Sequence, residues 1–426
     1  MKLQIFVVIF LFGDIIFNYF IRPQKYQDSV SKSGTLRQFI LLSLFKRYLT
    51  DVQKNGPCIS FLSGRVWKRF FDYRYLRQAY NGIENTSYKE DDLGNLLIYS
   101  PCREKINPDI IIVYVPNFMF TGGTPFFYLE YLMTLHSLLL LQGFRNPQIL
   151  IVNLNHLENN DVRVENSNTE FLPFSIQLDK LLKTWEILVS ESPNAKLFLF
   201  GDSSGAILIL YFMILLHHIN ELASQKDDIS GKTHFQIYGV ILISPLLSED
   251  DKILEENGIS EGLFKRNTLD YVSYELIKKF EMGYKKLDIK RNAQDQDQDQ
   301  DQDQNENNNS VNDGLVTKLL NKQFLIPTRG IVLSYGEEEY LSQEIKELGN
   351  ILKSAARVKI WKKKNGVHSW PMVSFSTEDA QEEKEDHVFI LAGIISRMTI
   401  WFTDEYLDPE IDIEPMNLLT IDDDHL

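Results

Sequence analysis

Residues 196–210 of the chain read KLFLFGDSSGAILIL, an apolar run that passes through a glycine-bounded turn into a second apolar run. Residues 196–200 have the pattern of a buried strand, and residues 205–219 have the pattern of an apolar helix. The turn between them is a G-x-S-x-G pentapeptide with Ser203 at its centre. In a strand–turn–helix setting this pentapeptide forms a nucleophile elbow, which lifts the serine hydroxyl above the edge of a sheet. The stretch therefore predicts that Ser203 is a nucleophile.

A steric constraint explains why the pentapeptide begins and ends with glycine. Gly201 and Gly205 stand two places to either side of Ser203, where the tight turn leaves no room for side chains. The same turn brings the backbone N–H of Ser204 near the position where an oxyanion would form. A glycine-lined connection without catalysis would have the same spacing. The hypothesis therefore depends on whether the chain also supplies a base and an acid.

Apolar runs that alternate with helical patterns extend on both sides of the elbow. Several runs are apolar at nearly every position, which is typical of parallel strands with both faces covered. Together with the elbow, this alternation predicts an α/β-hydrolase fold, with a mostly parallel sheet and helices on both faces. The candidate strands are residues 95–100, 109–115, 148–154, 236–244, 330–334 and 357–361. The candidate helices beyond the elbow are residues 126–141, 174–190 and 387–402.

A catalytic serine needs a general base, and in this fold the chain order is serine, acid, histidine. His368 lies in the segment 365–371, NGVHSWP, which follows the last candidate strand. This position places His368 at the carboxyl end of that strand, on the same edge of the sheet as Ser203. None of the other seven histidines combines this chain order with this setting. We therefore expect His368 to be the base.

The acid should follow the candidate strand 330–334, where the sequence continues YGEEEYL over residues 335–341. Glu337, Glu338 and Glu339 each stand at a suitable place to orient His368. At least two of the three must be ordinary solvated side chains, and the residues themselves leave the choice open.

Four motifs resemble those of the hormone-sensitive-lipase-like branch of the α/β-hydrolases, and within it those of the fungal steryl acetyl hydrolases. The resemblance covers residues 95–402 and implies hydrolysis of sterol acetates at an endoplasmic reticulum membrane. In that branch the acid stands in a Gly-x-x-Asp/Glu-x-Leu arrangement, which Gly336, Glu339 and Leu341 match. The resemblance therefore implies Glu339 as the acid. The motifs are GDSSG at 201–205, ISPLL at 243–247, GEEEYL at 336–341 and GVHSWP at 366–371.

One segment departs from that branch, which usually has a His-Gly-Gly-Gly run after its third strand to supply the oxyanion hole. Here the corresponding residues 116–120 read PNFMF, and a Gly-Gly pair follows at 122–123. We expect the backbone N–H groups of Phe118 and Met119 to bind the oxyanion together with that of Ser204. Because of this departure, an inactive hydrolase fold that binds lipid is an alternative hypothesis. A lipase, a thioesterase or a peptidase on the same triad is a further alternative.

Residues 3–21 form a 19-residue apolar stretch whose strongly polar residues are Gln4, Asp14 and Asn18. Such a stretch is long enough to span a bilayer, and no small-x-small cleavage site follows it. We expect an uncleaved, single-pass signal anchor. The alternatives are a cleaved signal peptide and a hairpin or interfacial helix.

The orientation of this anchor is ambiguous from the sequence. Arg22 and Lys25 after the stretch favour a cytosolic body by charge. Asn85 and Asn308 begin N-x-S/T triplets, which are glycosylation acceptors and favour a lumenal body. We expect the second arrangement, with the catalytic domain in the lumen of the endoplasmic reticulum.

The predictions divide the chain into four parts and two insertions. Residues 246–293 are amphipathic and are expected to form a helical cap. Residues 294–313, rich in Asp and Gln, have no apolar side chain before Val311 and are predicted to be disordered. The four parts are a membrane anchor (1–25), an N-terminal helical or cap segment (26–94), the hydrolase domain (95–403) and an acidic tail (404–426).

Charge and cysteine content exclude several classes of partner. The formal net charge is −15, but nine acidic residues in the tail and five in 295–303 supply fourteen of these charges. The rest of the chain is nearly neutral, so nucleic acid is not expected as a partner. Cys58 and Cys102 are too few for a cysteine-rich metal site. We expect no metal, no organic cofactor and no obligate protein partner, only a lipophilic ester substrate and the membrane.

Overall fold

The computed structural model describes residues 86–117, 125–154, 174–225, 235–247, 315–364, 366–372 and 381–400. Several predictions fall elsewhere in the chain and stay predictions. They concern the membrane anchor, the cap from residue 248 onwards, the Asp-Gln insertion, the acidic tail, and the glycosylation candidates Asn85 and Asn308.

The described residues form an eight-stranded sheet with the spatial order β1-β2-β4-β3-β5-β6-β7-β8. Strands β3 to β8 are parallel, and β2 pairs antiparallel with both of its neighbours. The strands are β1 (Ser87–Glu90), β2 (Leu96–Tyr99), β3 (Ile110–Val115), β4 (Pro147–Ile151), β5 (Lys196–Asp202), β6 (Gly239–Ile243), β7 (Ile331–Gly336) and β8 (Val358–Lys363).

Helices cover both faces of the sheet, as the alternation of patterns predicts. One face carries α1 and α6, and the other carries α2, α3, α4 and α5, because each set shares a buried apolar cluster with the strands. The helices are α1 (Leu129–Leu141), α2 (Phe174–Glu191), α3 (Ser204–Gln225), α4 (Leu315–Leu320), α5 (Ser342–Lys353) and α6 (Gln381–Ile400). Two 3-10 turns accompany them, Pro101–Arg103 and Pro125–Phe127.

Strand β5 shows why the central runs of the sequence are apolar throughout. Successive side chains of a strand point to opposite faces. Leu197 and Leu199 therefore pack under α2 and α3, whereas Phe198 and Phe200 pack under α1 and α6. Strand β3 divides in the same way, and all six of its residues are buried. Neither strand offers a solvated face, so neither tolerates alternation with polar residues.

The sheet begins earlier than the sequence pattern indicated. Ser87 of β1 pairs with Tyr99, and Glu90 pairs with Leu96. Residues 87–90 are therefore an edge strand and not part of a helical segment 26–94, so the predicted boundary at residue 95 is wrong. The strand reads SYKE and exposes its last two residues. A short polar edge strand of this kind lacks the apolar alternation by which a strand is recognised.

Helix α3 accounts for one apparent membrane signal. Among the described residues, Ser204–Ser224 is the one helix whose length and hydropathy would allow it to cross a membrane. It packs against β3, β5 and β6, and its apolar face belongs to the core under the elbow. Its composition is that of a buried core helix.

The topology brings the carboxyl ends of the parallel strands to one edge of the sheet. After β3 the chain continues to β4 on one side, and β5 lies on the other side of β3. Ligand sites of open α/β sheets lie outside such carboxyl ends, where the strand order reverses. Asn117 follows β3 and Ser203 follows β5, so both stand at this point.

Candidate active site

Ser203 occupies a strained turn between β5 and α3. Its φ angle is +53°, which is uncommon for a residue other than glycine. The backbone is held there because Ser203 N–H donates to the carbonyl oxygen of Ile243 at 2.8 Å. The Ser203 carbonyl accepts from the N–H groups of Leu246 and Ile207, at 3.2 and 3.3 Å. Ser203 is buried, so its hydroxyl lies within the protein at the carboxyl edge of the sheet and not in bulk solvent.

Gly201 and Gly205 are required by the packing of this turn. A Cβ atom on Gly205 would lie 2.2 Å from the carbonyl oxygen of Val115 at the end of β3. A Cβ atom on Gly201 would lie 2.7 Å from Cδ1 of Ile209 on α3. The first of these contacts is with backbone, which has little freedom to move. Glycine at 205 therefore lets the start of α3 approach β3 closely.

His368 lies next to Ser203, although 165 residues separate them in the chain. Its Nε2 is 2.8 Å from Ser203 Oγ, and both side chains are buried. For the hydroxyl to donate in this contact, Nε2 must be unprotonated, and the neutral ring then carries its proton on Nδ1. This is the arrangement in which an imidazole can accept the serine proton.

Glu339 lies behind the histidine. One of its oxygens, Oε2, is 3.4 Å from His368 Nδ1. The other, Oε1, accepts from Ser244 Oγ and from the backbone N–H of Gly336, both at 2.5 Å. Burial raises the pKa of Glu339 to about 8, and these two hydrogen bonds oppose that rise. The separation from Nδ1 is long for a hydrogen bond, and contacts of this type shorten when substrate binds.

The three glutamates that the sequence left open have different surroundings. Glu337 is exposed, and its carboxylate pairs with Lys362 at 2.6 Å. Glu338 is half-buried. Glu339 is 1% exposed and is the one of the three that faces His368. The structure thus brings together Ser203, His368 and Glu339.

Ser244, which the sequence analysis did not single out, connects the acid to the histidine segment. It follows β6 with a φ angle of +46°. Its hydroxyl donates to Glu339 Oε1 and accepts from the backbone N–H of Ser369 at 2.9 Å. Its position in ISPLL, directly after a strand that ends at this edge, is the signal that could have identified it.

Asp202 was missed as well, although it belongs to the pentapeptide. It is 1% exposed, and its oxygens receive four hydrogen bonds. The donors are the Tyr114 hydroxyl at 2.7 Å, Asn117 N–H at 3.1 Å, the Ser369 hydroxyl at 3.3 Å and the Tyr128 hydroxyl at 3.4 Å. Burial raises the pKa of Asp202 to about 6, against the effect of these donors.

Of the residues expected to form an oxyanion hole, Ser204 lies in the part of the chain that the structure describes. Ser204 is the first residue of α3, so its backbone N–H is free of helical pairing and stands beside Ser203. Its hydroxyl donates to Asn117 Oδ1 at 3.0 Å. Phe118 and Met119, from which we expect the other donors, lie outside the described residues.

Comparisons with known proteins identify the family and the fold. A family model described as steryl acetyl hydrolase matches residues 100–387. An esterase from the bacterial hormone-sensitive lipase family has a similar structure, with a TM-score of 0.50 and 12% identity over 85% of this chain and 98% of that chain. A hormone-sensitive-lipase homologue from a metagenome library has a TM-score of 0.50 and 14% identity with the same coverage. At these identities the likeness concerns the fold, and it confirms the predicted α/β-hydrolase fold. A search of curated proteins found no match.

The close approach of α3 to β3 predicts the effect of a single methyl group. Gly205→Ala should lower the free energy of unfolding by about 1–3 kcal/mol, because the new Cβ overlaps the Val115 carbonyl. It should also slow the reaction of Ser203 with a fluorophosphonate probe about 100-fold, as expected for a catalytic group displaced by roughly 1 Å. Urea denaturation and the labelling rate are the two measurements.

The matched control is Gly393→Ala in α6, where an added Cβ would meet nothing within 4 Å. This substitution should leave labelling unchanged and stability unchanged or higher by about 0.4–1 kcal/mol. If Gly205→Ala labels at the wild-type rate, the elbow does not depend on this contact.

Proposed function

Since the chain belongs to the steryl acetyl hydrolase family, we propose that it is a membrane-anchored serine esterase that removes acetyl and other short acyl groups from lipophilic alcohols such as sterols. Ester hydrolysis itself follows from the family. The proposal goes further in assigning a Ser203–His368–Glu339 triad. The observation that carries this assignment is the 2.8 Å contact between Ser203 Oγ and His368 Nε2, with a buried carboxylate on the other side of the imidazole.

In the proposed mechanism Ser203 Oγ attacks the ester carbonyl carbon while His368 Nε2 takes the hydroxyl proton. The carbonyl oxygen becomes an oxyanion, held by the N–H of Ser204 and by those of Phe118 and Met119. When the intermediate collapses, His368 returns the proton to the leaving alcohol oxygen and an acyl-serine remains. Water then attacks the acyl-serine with His368 as base, which releases the carboxylic acid and restores Ser203.

Glu339 has two tasks in this mechanism. It holds the imidazole so that Nε2 faces Ser203, and it stabilises the imidazolium that forms in each transition state. The hydrogen bonds from Ser244 and Gly336 keep the carboxylate in place, since both end on Oε1 and leave Oε2 toward His368. The imidazolium that forms beside Glu339 favours the ionised carboxylate, and little solvent screens the attraction between the two charges.

The substrate class has weaker support from the chain itself. The acetyl group and the sterol come from the family description. The proposed cap 246–293 offers apolar side chains that could line a pocket for a bulky alcohol, and nearly all of it lies outside the described residues. The proposed anchor at residues 3–21 would keep the enzyme at a membrane, where lipophilic esters concentrate.

A second candidate function is lipid binding by a catalytically degenerate hydrolase fold. The specific observation in its favour is the sequence PNFMF at 116–120, which replaces the glycines of the usual oxyanion segment. A backbone N–H can donate without glycine, but the φ/ψ values available to the segment are fewer. Labelling of Ser203 by a fluorophosphonate probe separates the two candidates, because a relict site should not react.

The triad assignment predicts how single substitutions combine. Ser203→Ala and His368→Ala should each lower kcat on a nitrophenyl acetate by about 10⁴-fold or more, and the double variant should be little worse, because triad members act as a unit. Glu339→Gln should lower kcat by roughly 10⁴-fold. The matched control is Glu338→Gln in the same turn, which should stay within about twofold of the wild type. A crippled Glu338→Gln would transfer the acid role to that residue.

The proposed anchor predicts the behaviour of the protein in a membrane fraction. The full chain should stay in the pellet after alkaline carbonate extraction, and a chain without residues 1–25 should be released. Endoglycosidase treatment should increase the gel mobility of the full chain if Asn85 or Asn308 is glycosylated in the lumen. Unchanged mobility removes the main support for the lumenal orientation.

The substrate proposal predicts a preference that kinetics can measure. The detergent-solubilised enzyme should hydrolyse a sterol acetate with a higher kcat/KM than an emulsified long-chain triacylglycerol. The physical reason is a site that accepts a small acyl group beside a bulky apolar alcohol. A preference for the triacylglycerol would overturn the substrate assignment and leave the fold and the triad untouched.

A further inference from the structure

Asp202 is a buried carboxylate to which the proposed mechanism assigns no role. Its two oxygens share four donors evenly. Oδ1 accepts from the Tyr114 hydroxyl and from Asn117 N–H, and Oδ2 accepts from the hydroxyls of Tyr128 and Ser369. An ionised carboxylate is the side chain suited to this environment, since it only accepts and has about four lone-pair sites.

The donors come from the segments that build the site. Asn117 follows β3 and is the last described residue before the expected oxyanion donors. Ser369 is the residue after His368. Asp202 itself precedes Ser203. A single carboxylate is therefore bonded to the segment that follows β3 and to the histidine segment, and is covalently adjacent to the nucleophile.

Two further contacts hold Asn117 and Ser369. The Ser204 hydroxyl donates to the side chain of Asn117, so Asn117 is fixed by both neighbours of Ser203. The N–H of Ser369 donates to Ser244, so Ser369 is fixed through its backbone as well as through its hydroxyl. Ser369 has a φ angle of +49°, and these contacts hold it in that conformation.

We propose that Asp202 is a positioning residue for the esterase reaction, and that its carboxylate sets the placement of His368 and of the segment after β3 relative to Ser203. The inference rests on the proposed function, because positioning has meaning only if Ser203 and His368 react. Asp202 does not touch the reacting atoms and acts through Asn117 and Ser369.

The charge of Asp202 gives the role an electrostatic component. Among the described residues, the titratable groups that face Asp202 are Tyr114, Tyr128, Tyr131 and His368. Burial raises the pKa of Asp202 to about 6, while the hydrogen bond from Tyr114 and the charge of His368 lower it. Protonation of the carboxylate below this pH would turn one of its oxygens into an O–H donor, which opposes the two donors that this oxygen accepts in the ionised form.

The decisive experiment compares Asp202→Asn and Tyr114→Phe with the wild type, with kcat, KM and the pH profile of kcat/KM as readouts. Asp202→Asn places an NH₂ group against two donors, so kcat should fall about 100-fold, as for a roughly 1 Å misplacement, with KM changed little. Its acidic limb should move to lower pH, since the titrating carboxylate is gone and the imidazolium has lost a nearby negative charge.

Tyr114→Phe keeps the charge and removes one donor. The Asp202 carboxyl should then protonate at higher pH, because a hydrogen bond that lowers its pKa is lost. The acidic limb should therefore move to higher pH, opposite to the shift in Asp202→Asn, and kcat at alkaline pH should fall less. A residue with a merely structural role would move neither limb.

Asp109→Asn is the matched control. Asp109 directly precedes β3, at the end of the strand away from Asn117. Its carboxylate accepts hydrogen bonds from the backbone N–H groups of Arg145 and Asn146, at 2.8 and 3.1 Å. This variant loses comparable hydrogen bonds far from Ser203, so its kcat and acidic limb should match the wild type. If Asp202→Asn fails to fold, Tyr114→Phe tests the inference alone. An acidic limb of its kcat/KM profile at the wild-type pH would then overturn the inference.

Labelling of the wild type by a fluorophosphonate probe separates the two levels of failure. A wild type that neither labels at Ser203 nor hydrolyses esters overturns the proposed function. A wild type that does both, beside an Asp202→Asn variant with wild-type kcat and limb, overturns the inference about Asp202 alone.

Discussion

The contact between Gly205 and the carbonyl oxygen of Val115 is the constraint on which the rest of the site depends. Because no Cβ separates them, the start of α3 lies directly against the end of β3. The chain can then turn within two residues of β5, which places Ser203 at the edge of the sheet. The parallel arrangement brings the ends of β6, β7 and β8 to the same edge, so residues far apart in sequence meet there.

Much of this architecture could be predicted from the sequence, because the central strands are buried on both faces and their composition reflects it. Strand β1 could not be predicted in this way. It lies at an edge of the sheet and is half solvated, so its sequence SYKE shows no apolar pattern. Helix α5 was not predicted either, although its buried residues Ile345, Leu348 and Leu352 have the spacing of one helix face.

The residues of the proposed triad could be predicted from the sequence to different degrees. Chain order and strand ends were sufficient to place Ser203 and His368 on the same edge. Chain order and strand ends did not decide among the three adjacent glutamates, because the choice depends on which carboxylate turns inward at the end of β7. The hydrogen-bond partners of Asp202 and Ser244 could not be predicted, because they lie far away in the sequence. Tyr114 is 88 residues from Asp202, and Glu339 is 95 residues from Ser244, and no local pattern records such pairings.

Three of the four described non-glycine residues with positive φ are serines of the site, namely Ser203, Ser244 and Ser369. Each holds a conformation that glycine would adopt with less strain, at a cost of order 1–2 kcal/mol. Random mutation toward glycine at 244 or 369 would relax the backbone and would also delete a hydroxyl that organises the site. At these two positions the backbone strain and the hydrogen bonds come from the same residue, so a glycine that relieves the strain also removes the bonds to Glu339 or Asp202.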